Sequence, residues 1–154
     1  MVEFRVATAD DCRAIAVLRW ESAAEDGPPQ SCEAFAAAFA DWAQELTATH
    51  TAFVAAEGSS VVGSAWLAQV PRAPDPWTLR RANGDLQTVF VIADRRNEGI
   101  GEALVRAVLA YGWRQGLGAM TVAANERAAS LYRRIGFAGD PMDLRLAAPE
   151  PDNA

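Results

Sequence analysis

Residues 86–101 are the most informative part of the chain, and they read Leu86-Gln87-Thr88-Val89-Phe90-Val91-Ile92-Ala93-Asp94-Arg95-Arg96-Asn97-Glu98-Gly99-Ile100-Gly101. The β-branched and aromatic run Thr88–Ile92 is too short for a helix and predicts a buried strand. Beyond it, residues 104–111 carry apolar side chains at i, i+3, i+4 and i+7, which predicts a helix with one apolar stripe. The stretch therefore predicts a strand that passes through a charged turn into the start of a helix.

The turn between the predicted strand and helix contains two glycines, Gly99 and Gly101. Backbone N–H groups at the start of a helix lack partners within the helix, and the helix dipole is positive there. An anion with several oxygens, such as a pyrophosphate, fits such a turn. The alternative is a plain connection in which the glycines serve only tight packing. Two other phosphate motifs fail: Leu104 replaces the third glycine of G-x-G-x-x-G, and no G-x-x-x-x-G-K-[S/T] occurs in the sequence.

Two blocks of the sequence resemble the GNAT superfamily of N-acetyltransferases. The first, Val91–Gly101, resembles the acetyl-coenzyme A signature V-x-x-x-x-[R/Q]-x-x-G-x-[G/A] of that superfamily. The second, Asn125–Phe137, resembles its N-x-x-A-x-x-L-Y-x-x-x-G-F segment. Two blocks in the right order and at the right separation are more specific than either block alone. Asn97 departs from the pattern, because many members carry glycine there, but asparagine tolerates left-handed backbone geometry.

The resemblance implies an α/β protein with a three-layer α/β/α GNAT-like fold. Its central sheet is mixed, mostly antiparallel and splayed between the fourth and fifth strands. Hydrophobic periodicity predicts a compatible order of elements, β, α, α, β, β, β, α, β, α, β. Ser31 is expected to cap the second helix, and Pro71–Gly84 to form a long connection before the central strand. The predicted strands include Val2–Val6, Thr51–Ala56, Val61–Gln69, Met120–Ala124 and Met142–Leu146. We expect one acetyl-CoA-dependent domain over residues 1–147 and a short disordered tail over 148–154.

The composition favours a soluble cytoplasmic protein that works without a membrane. Hydrophobic residues make up 51% of the 154 residues, yet no apolar run approaches the roughly 18 residues of a membrane span. Acidic residues interrupt the N-terminal segment, which therefore does not resemble a signal peptide. A net charge of −6 and a pI ≈ 4.8 oppose nucleic acid binding and suit a cationic acceptor. Cys12 and Cys32 are too few for a disulfide framework or a zinc site, and we expect no metal.

The resemblance implies acetyl-coenzyme A (acetyl-CoA) as the cosubstrate. In the GNAT pattern, backbone N–H groups of the turn hold the diphosphate. The strand before the turn splays from its neighbour, so that backbone groups at Val89 and Val91 pair with the pantetheine arm. The N–H of Val91 then points at the thioester oxygen. Asn125 matches the asparagine that contacts the cofactor arm. The residues of the turn predicted to contact the cofactor are Arg96, Asn97, Glu98, Gly99, Ile100, Gly101 and Glu102.

Tyr132 matches, by its position in the second block, the tyrosine that donates a proton to the leaving thiolate. The alternative role for Tyr132 is packing on the apolar face of the last helix.

A general base is needed as well, because a lysine-like amine with a pKa of about 10.4 is protonated at neutral pH. Asp85 is the first candidate, and Glu21 and Glu25 at the end of the first helix are the others. Alternatively, Asp85 belongs to a turn with Gly84, and water alone removes the proton.

Glu21, Glu25 and Trp77 are predicted to bind the amine acceptor. Trp77 either stacks on the acceptor or tucks over the edge of the sheet. His50, the only histidine, is either a general base or a surface residue that follows the second helix. None of these positions carries a motif that identifies the acceptor.

These patterns predict an N-acetyltransferase that moves an acetyl group from acetyl-CoA directly to a primary amine of a small molecule or peptide. The alternative is a catalytically silent acyl-CoA-binding regulatory module of the same fold. A different nucleotide-binding protein is a third option. The resemblance also makes a homodimer an option, because dimers are common among proteins with these motifs.

Overall fold

A computed structural model of the chain describes residues 1–151. Within them, six β-strands and four α-helices follow one another in the predicted order. The strands are β1 (Glu3–Val6), β2 (His50–Glu57), β3 (Ser60–Arg72), β4 (Arg81–Val91), β5 (Ala119–Val122) and β6 (Leu144–Ala147). The helices are α1 (Asp11–Ser22), α2 (Cys32–Glu45), α3 (Ile100–Arg114) and α4 (Glu126–Ile135).

The strands form one sheet in the order β1-β2-β3-β4-β5-β6. Neighbouring strands are antiparallel except for β4 and β5, which are parallel. The parallel pairing is short, because only Gly84–Leu86 of β4 lie beside Met120–Val122 of β5. From Gln87 onwards no strand within residues 1–151 pairs with β4 on its β5 side, and the sheet opens there. The predicted mixed, mostly antiparallel sheet with a splay between its fourth and fifth strands is thus confirmed.

Helices cover both faces of the sheet, because the side chains of each strand alternate between the two faces. On one face, α3 and α4 pack around a core that includes Leu67 and Met120. On the other face, α2 packs Phe39 and Trp42 against Trp66 of β3, with ring centroids 5.7 and 4.9 Å apart. α1 lies beside α2 on that same face. The predicted three-layer α/β/α arrangement is therefore confirmed.

Polar contacts at the helix starts fix how the chain enters α1 and α2. Ser31 caps α2 as predicted, and its Oγ accepts a hydrogen bond from the N–H of Ala34 at 3.2 Å. At the start of α1, the Asp11 carboxylate accepts two hydrogen bonds from Arg5, at 2.6 and 3.1 Å, and one from the N–H of Thr8 at 2.7 Å. Hydrogen bonding to Arg5 lowers the pKa of Asp11 to about 2. This ion pair ties β1 to α1.

The connection between β3 and β4 is shorter than predicted. β3 continues to Arg72 and β4 begins at Arg81, so that the predicted loop Pro71–Gly84 is wrong at both ends. The two strands pair as far as these arginines, because a hairpin satisfies the backbone N–H and C=O groups of both strands. This segment contains proline and glycine, which are typical of loops, and local sequence patterns therefore do not predict the strand pairing.

Gly84 lies inside β4 rather than in a turn before it. A Cβ at this position would lie 2.8 Å from Leu67 Cδ1 and 3.0 Å from Leu117 Cδ1, and it would overlap the sulfur of Met120. Glycine thus allows β4 to approach β5 closely, which is a common reason for glycine within a strand. The predicted Gly84-Asp85 turn is wrong, and Asp85 belongs to a strand.

The C-terminal strand is displaced from its predicted position Met142–Leu146. Pro141–Asp143 form a short 3₁₀ turn, and β6 begins at Leu144. The Asp140 side chain accepts a hydrogen bond from the N–H of Met142 at 3.0 Å, which favours the turn over a strand. Residues 148–151 belong to neither helix nor strand, and residues 152–154 of the predicted tail lie outside the described residues.

Candidate active site

β4 bulges at the point where it leaves β5. Between Gln87 and Phe90, β4 contains one residue more than the facing part of β3. A bulge of this kind bends a strand and strengthens its twist. Within it, Thr88 adopts φ +48°, which is unfavourable for a β-branched residue and marks local strain. The bend lies directly beyond Leu86, the last residue of β4 that pairs with β5.

Backbone groups of β4 face the opening beside β5. Ile92 donates its N–H to Val62 O of β3 at 3.0 Å. Since successive residues of a strand direct these groups to opposite sides, Val91 presents its N–H and C=O away from β3. Its C=O accepts a hydrogen bond from Nε of Arg96 at 3.1 Å. Val89 lies within the bulge, where this alternation is interrupted, and its contact with the pantetheine arm, which the GNAT pattern implies, stays a prediction.

The turn after β4 presents a run of backbone donors. Asn97 and Gly99 adopt φ +65° and +79°, the left-handed geometry that asparagine and glycine tolerate best. The N–H groups of residues 97–102 have no acceptor within residues 1–151, and the first helical hydrogen bond of α3 runs from Ala103 N to Gly99 O at 3.0 Å. A Cβ on Gly99 would meet nothing within 4 Å. Successive free donors therefore lie beside open space at the N-terminus of a helix.

The two arginines of the turn differ in what they contact. Arg95 is held by Glu98, with a Nε–Oε2 distance of 2.9 Å, and by Glu57. Arg96 is exposed, projects over the ring of Phe90 at 5.8 Å, and has no carboxylate partner within the described part of the chain. Arg96 is therefore the one of the two that is free to meet an anion.

Glu102 lies in the first turn of α3, on the side where an anion is expected. Its carboxylate pairs with Arg106 at 3.0 Å and with Arg134 at 3.6 Å. Hydrogen bonding to Arg106 lowers the pKa of Glu102, so that its carboxylate is ionised at neutral pH. A negative charge repels a phosphate, and the contact predicted for Glu102 is thereby limited to its backbone N–H.

α4 begins at Asn125, whose side chain caps the helix. Its Oδ1 accepts a hydrogen bond from the N–H of Ala128 at 2.8 Å. A primary amide has two N–H donors in addition to its oxygen. The capping bond uses only the oxygen, and the exposed amide nitrogen of Asn125 is left for the predicted contact with the cofactor arm.

Tyr132 lies on the buried face of α4, 5% exposed, with its ring centroid 5.6 Å from that of Phe137. Burial raises the pKa of Tyr132 to about 12, and no hydrogen bond contributes to this shift. The hydroxyl is therefore protonated at neutral pH. Tyr132 does pack on the apolar face of α4, whereas its role as an acid stays a prediction.

Both oxygens of the Asp85 carboxylate accept hydrogen bonds. Oδ1 accepts from Thr121 Oγ1 at 2.7 Å, and Oδ2 accepts from Gln87 Nε2 at 3.1 Å. Thr121 is the partner of Asp85 across the parallel pair of strands. This cluster lies on the face opposite the α3–α4 core, next to the place where the sheet opens. Sequence patterns give no sign of Gln87 or Thr121, because strand pairing joins Asp85 to a residue 36 positions away.

The structure does not bring Trp77 together with Glu21 and Glu25. Trp77 is 89% exposed in the tip of the β3–β4 hairpin, beyond the end of the sheet at which β2 begins. Glu21 and Glu25 are exposed where the chain turns from α1 into α2, and α2 then runs about 20 Å towards the start of β2. Trp77 does not tuck over the sheet edge, and it lies at the opposite end of the molecule from both glutamates.

A cavity of about 690 Å³ lies between α1, α2 and the start of β2, and its lining includes His50, Trp66 and Tyr111. None of the residues predicted to bind the cofactor lines it. His50 is half-buried, with Nδ1 2.8 Å from Thr49 Oγ1 and its ring 5.3 Å from that of Trp42. His50 therefore packs against α2 instead of standing free on the surface.

Among the residues that the structure describes, no group of three or more His, Cys, Asp or Glu side chains is placed to hold a metal ion. Cys12 and Cys32 are free thiols. No helix within residues 1–151 combines the length and the apolar character that crossing a membrane requires.

The sequence profile of the acetyltransferase (GNAT) family matches residues 13–137. The match runs from within α1 to the second residue after the end of α4 and covers most of the chain. This protein therefore belongs to the GNAT acetyltransferase family, as its two motifs indicate. A comparison with curated proteins finds no match.

Solved structures with this fold include proteins from bacteria and from a trypanosome. An acetyltransferase of Trypanosoma brucei is 24% identical, with a TM-score of 0.72 over 91% of this chain and 94% of that one. A GCN5-related N-acetyltransferase of Ralstonia eutropha is 23% identical, with a TM-score of 0.70 over 97% and 98%. A GNAT family acetyltransferase of Brucella melitensis, solved in complex with acetyl-CoA, is 22% identical, with a TM-score of 0.69 over 100% and 92%. These likenesses establish a shared fold.

Proposed function

We propose that this protein is an N-acetyltransferase that moves an acetyl group from acetyl-CoA directly to a primary amine of a small molecule or peptide. The observation that carries the proposal is the run of unpaired backbone N–H groups at residues 97–102, beside open space at the start of α3. Such donors at a helix N-terminus suit phosphate oxygens. The acetyl-CoA held by the Brucella melitensis protein, which has the same fold, supports acetyl-CoA as the cosubstrate.

Two regions of the protein bind the donor, acetyl-CoA. Its diphosphate meets the N–H groups of residues 97–102 and the free guanidinium of Arg96. Its pantetheine arm follows β4 at the splay, where the backbone of Val89 and Val91 takes the place of a pairing strand and the amide nitrogen of Asn125 adds a donor. This arrangement orients the thioester without any covalent bond to the protein.

Acetyl transfer then needs the amine to lose a proton and the thiolate to be stabilised. Neutralising an amine with a pKa of about 10.4 at pH 7 costs on the order of 4 to 5 kcal/mol, and Asp85 takes that proton through bridging water. The nitrogen attacks the thioester carbon, while a backbone N–H of the splayed part of β4 stabilises the oxygen as it gains charge. The nitrogen loses its second proton to water as the carbon–sulfur bond breaks and the electron pair leaves on sulfur. The Tyr132 hydroxyl donates a hydrogen bond to the departing thiolate, which takes its proton from water. The products are an amide and free coenzyme A.

Replacement of Gly99 by glutamate tests the anion site. Gly99→Glu places a carboxylate in the space proposed for the diphosphate, and calorimetry should show coenzyme A affinity about 100-fold lower or worse. Gly116→Glu is the matched control, since Gly116 lies at the other end of α3 with φ +80° and also has nothing within 4 Å of a Cβ. Both changes impose the same backbone strain, about 1 to 2 kcal/mol, but only the first should weaken binding. Equal affinities in the two variants would overturn the proposed site.

A second candidate is a silent acyl-CoA-binding regulatory module. The observation that favours it is the raised pKa of Tyr132, about 12, since a weak acid is a poor proton donor to a thiolate. Release of free thiol from acetyl-CoA across a panel of amines separates the two candidates. The enzyme releases thiol only when an accepted amine is present, whereas the silent module binds coenzyme A and releases none.

The cytoplasm is the setting that we propose for this activity. The supporting observation is that both cysteines, Cys12 and Cys32, are free thiols, which suits a reducing compartment. Fractionation of the cells that make the protein would test this location directly.

A further inference from the structure

One row of side chains crosses β4, β5 and β6 on the face that the α3–α4 core leaves free. Asp85 pairs with Thr121, and Thr121 pairs with Arg145. Their chain neighbours Leu86 and Leu144 belong to the core on the opposite face. Because successive residues of a strand alternate between faces, the carboxylate, the hydroxyl and the guanidinium share one face.

The backbone of Arg145 brings its side chain close to Thr121. Its N–H and C=O both bond to Ala138, each at 2.9 Å, on the side away from β5. Arg145 and Thr121 therefore form a non-hydrogen-bonded pair, the kind with Cα atoms about 4.5 Å apart and the closest side chains. One further strand spacing of about 4.8 Å separates Thr121 from Asp85. The charges of Asp85 and Arg145 thus lie on side chains whose Cα atoms are roughly 9 Å apart.

Arg145 is exposed, and it has no ion pair within residues 1–151. Its nearest carboxylate across the strands, Asp85, already accepts hydrogen bonds from Thr121 and Gln87 on its two oxygens. Six other arginines, by contrast, pair with carboxylates: Arg5, Arg13, Arg81, Arg95, Arg106 and Arg134. A guanidinium without an ion pair among residues 1–151, on the same sheet face as a fixed carboxylate, suits a ligand that carries both charges.

We propose that the acceptor is a primary amine with an anionic group a few ångströms from its nitrogen, of which an amino acid is the simplest example. Its ammonium meets Asp85, and its carboxylate meets Arg145, whose planar fork of donors matches a carboxylate. Arg145 is then a specificity-determining residue, because an amine without the anion leaves the guanidinium unused. This assignment rests on the proposed function, since it names the acceptor of the same site.

Kinetics with matched acceptors test the assignment: an L-amino acid, its amide and its decarboxylated amine, each with acetyl-CoA. The wild type should favour the amino acid at least about 10-fold in kcat/KM. Arg145→Gln should raise the KM for the amino acid about 10- to 100-fold, leave kcat within about 3-fold and leave the KM values of the other two acceptors unchanged. Arg114→Gln is the control, since Arg114 is an exposed arginine of α3 in the other layer. It should change none of these values.

Two further variants separate a specific contact from a general loss of charge. Arg145→Lys should recover part of the affinity for the amino acid, and Arg145→Glu should shift the preference towards a diamine. If the wild type acetylates the amide or the decarboxylated amine as well as the amino acid, the anionic acceptor is wrong while the proposed function stands. The anionic acceptor is equally wrong if Arg145→Gln leaves the KM for amino acids unchanged. If no amine is acetylated although acetyl-CoA binds, both proposals are wrong.

Discussion

Tyr132 combines two properties that bear differently on its proposed role. Burial raises its pKa to about 12, which keeps the hydroxyl protonated and able to donate. The leaving thiol has a pKa of about 8.5, so that full proton transfer from Tyr132 is uphill by roughly 5 kcal/mol. A hydrogen bond that stabilises the thiolate requires no complete transfer. Tyr132 is thus better suited to donate a hydrogen bond as the carbon–sulfur bond breaks, with water as the final source of the proton.

Replacing Tyr132 by phenylalanine removes that donor and keeps the ring that packs on Phe137. We expect kcat to fall about 10- to 100-fold, with coenzyme A affinity and melting temperature unchanged. Steady-state kinetics, calorimetry and a thermal melt measure the three quantities. Unchanged kcat in an active enzyme would show that Tyr132 has only a packing role.

Asp11 contributes to stability through its ion pair with Arg5. Its pKa is about 2 in the folded chain, below the ordinary value of 3.8. The unfolded chain therefore binds more protons in this range, and the contribution is present above about pH 4 and lost as the pH falls towards 2. Asp11→Asn should lower the free energy of unfolding by about 1 to 2 kcal/mol at pH 7, with a difference from wild type that vanishes near pH 2.

Urea unfolding at pH 7, 4 and 2.5 checks this prediction, with Asp10→Asn as control. Asp10 is exposed at the start of the same helix, and its side chain makes no capping hydrogen bond. The control should lie within about 0.5 kcal/mol of wild type at every pH. If the difference in free energy of unfolding between wild type and Asp11→Asn stays constant down to pH 2.5, the effect does not come from the ionised carboxylate.

Two glycines let α3 and β4 close on Met120 of β5. Met120 is fully buried, and a Cβ on Gly112 of α3 would overlap its terminal methyl group and lie 3.2 Å from Leu117 Cδ1. Gly84 of β4 faces the same side chain. α3, β4 and the segment that contains Leu117 thus pack so closely around Met120 that Gly84 and Gly112 have no room for a side chain.

Gly112→Ala should lower the free energy of unfolding by about 1 to 3 kcal/mol, although alanine is the better helix former. In a Met120→Val background, which removes the overlapping atoms, the same change should be neutral or stabilising. Gly101→Ala is the control within α3, because its Cβ would meet the nearest atoms at the ordinary distances of 3.5 and 3.7 Å. Denaturant unfolding of Gly112→Ala, Met120→Val, the double variant and Gly101→Ala, each against wild type, gives the coupling free energy between positions 112 and 120. Additive effects of Gly112→Ala and Met120→Val would contradict this packing account.

The molecule is one sheet that opens along part of its length. β4 and β5 pair over Gly84–Leu86 and Met120–Val122 and then separate, so that backbone groups of β4 have no partner strand in the part of the chain that the structure describes. A ligand that enters the opening contacts β4, the turn at the start of α3 and the start of α4 together. Binding of the donor therefore links elements that pair weakly without it, and it stabilises the folded state by mass action.

Acetyl-CoA at 100 times its Kd should stabilise the fold by about 2.7 kcal/mol. For a chain of this length that raises the melting temperature by roughly 5 to 10 °C. NAD and ATP at the same concentration should shift it by less than about 1 °C, because the turn lacks their motifs. Thermal melts with each ligand provide the comparison. An equal shift with NAD or ATP would favour a different nucleotide-binding protein.

Elements with a strong local signal were predictable. The period of apolar residues marked α3, and the two motifs marked the turn before it and the block that contains α4. Ser31 could be identified as a cap because a capping bond spans only three residues. Local patterns do not reveal either end of the β3–β4 hairpin, because its pairing depends on residues that face each other and not on residues adjacent in the chain. The bulge at Thr88 carries no mark in the sequence either.

Local chemistry thus explains the order of the elements, the left-handed turn at Asn97 and Gly99, and the residues proposed to hold the donor. Folding in three dimensions placed Asp85 beside Thr121 and Gln87, set Arg145 in the same row, and separated Trp77 from Glu21 and Glu25. The physical reason is that periodicity records which side of an element is apolar, whereas strand register and the partner of each side chain arise only when distant segments pair. A site assembled across three strands is therefore visible only in the folded chain.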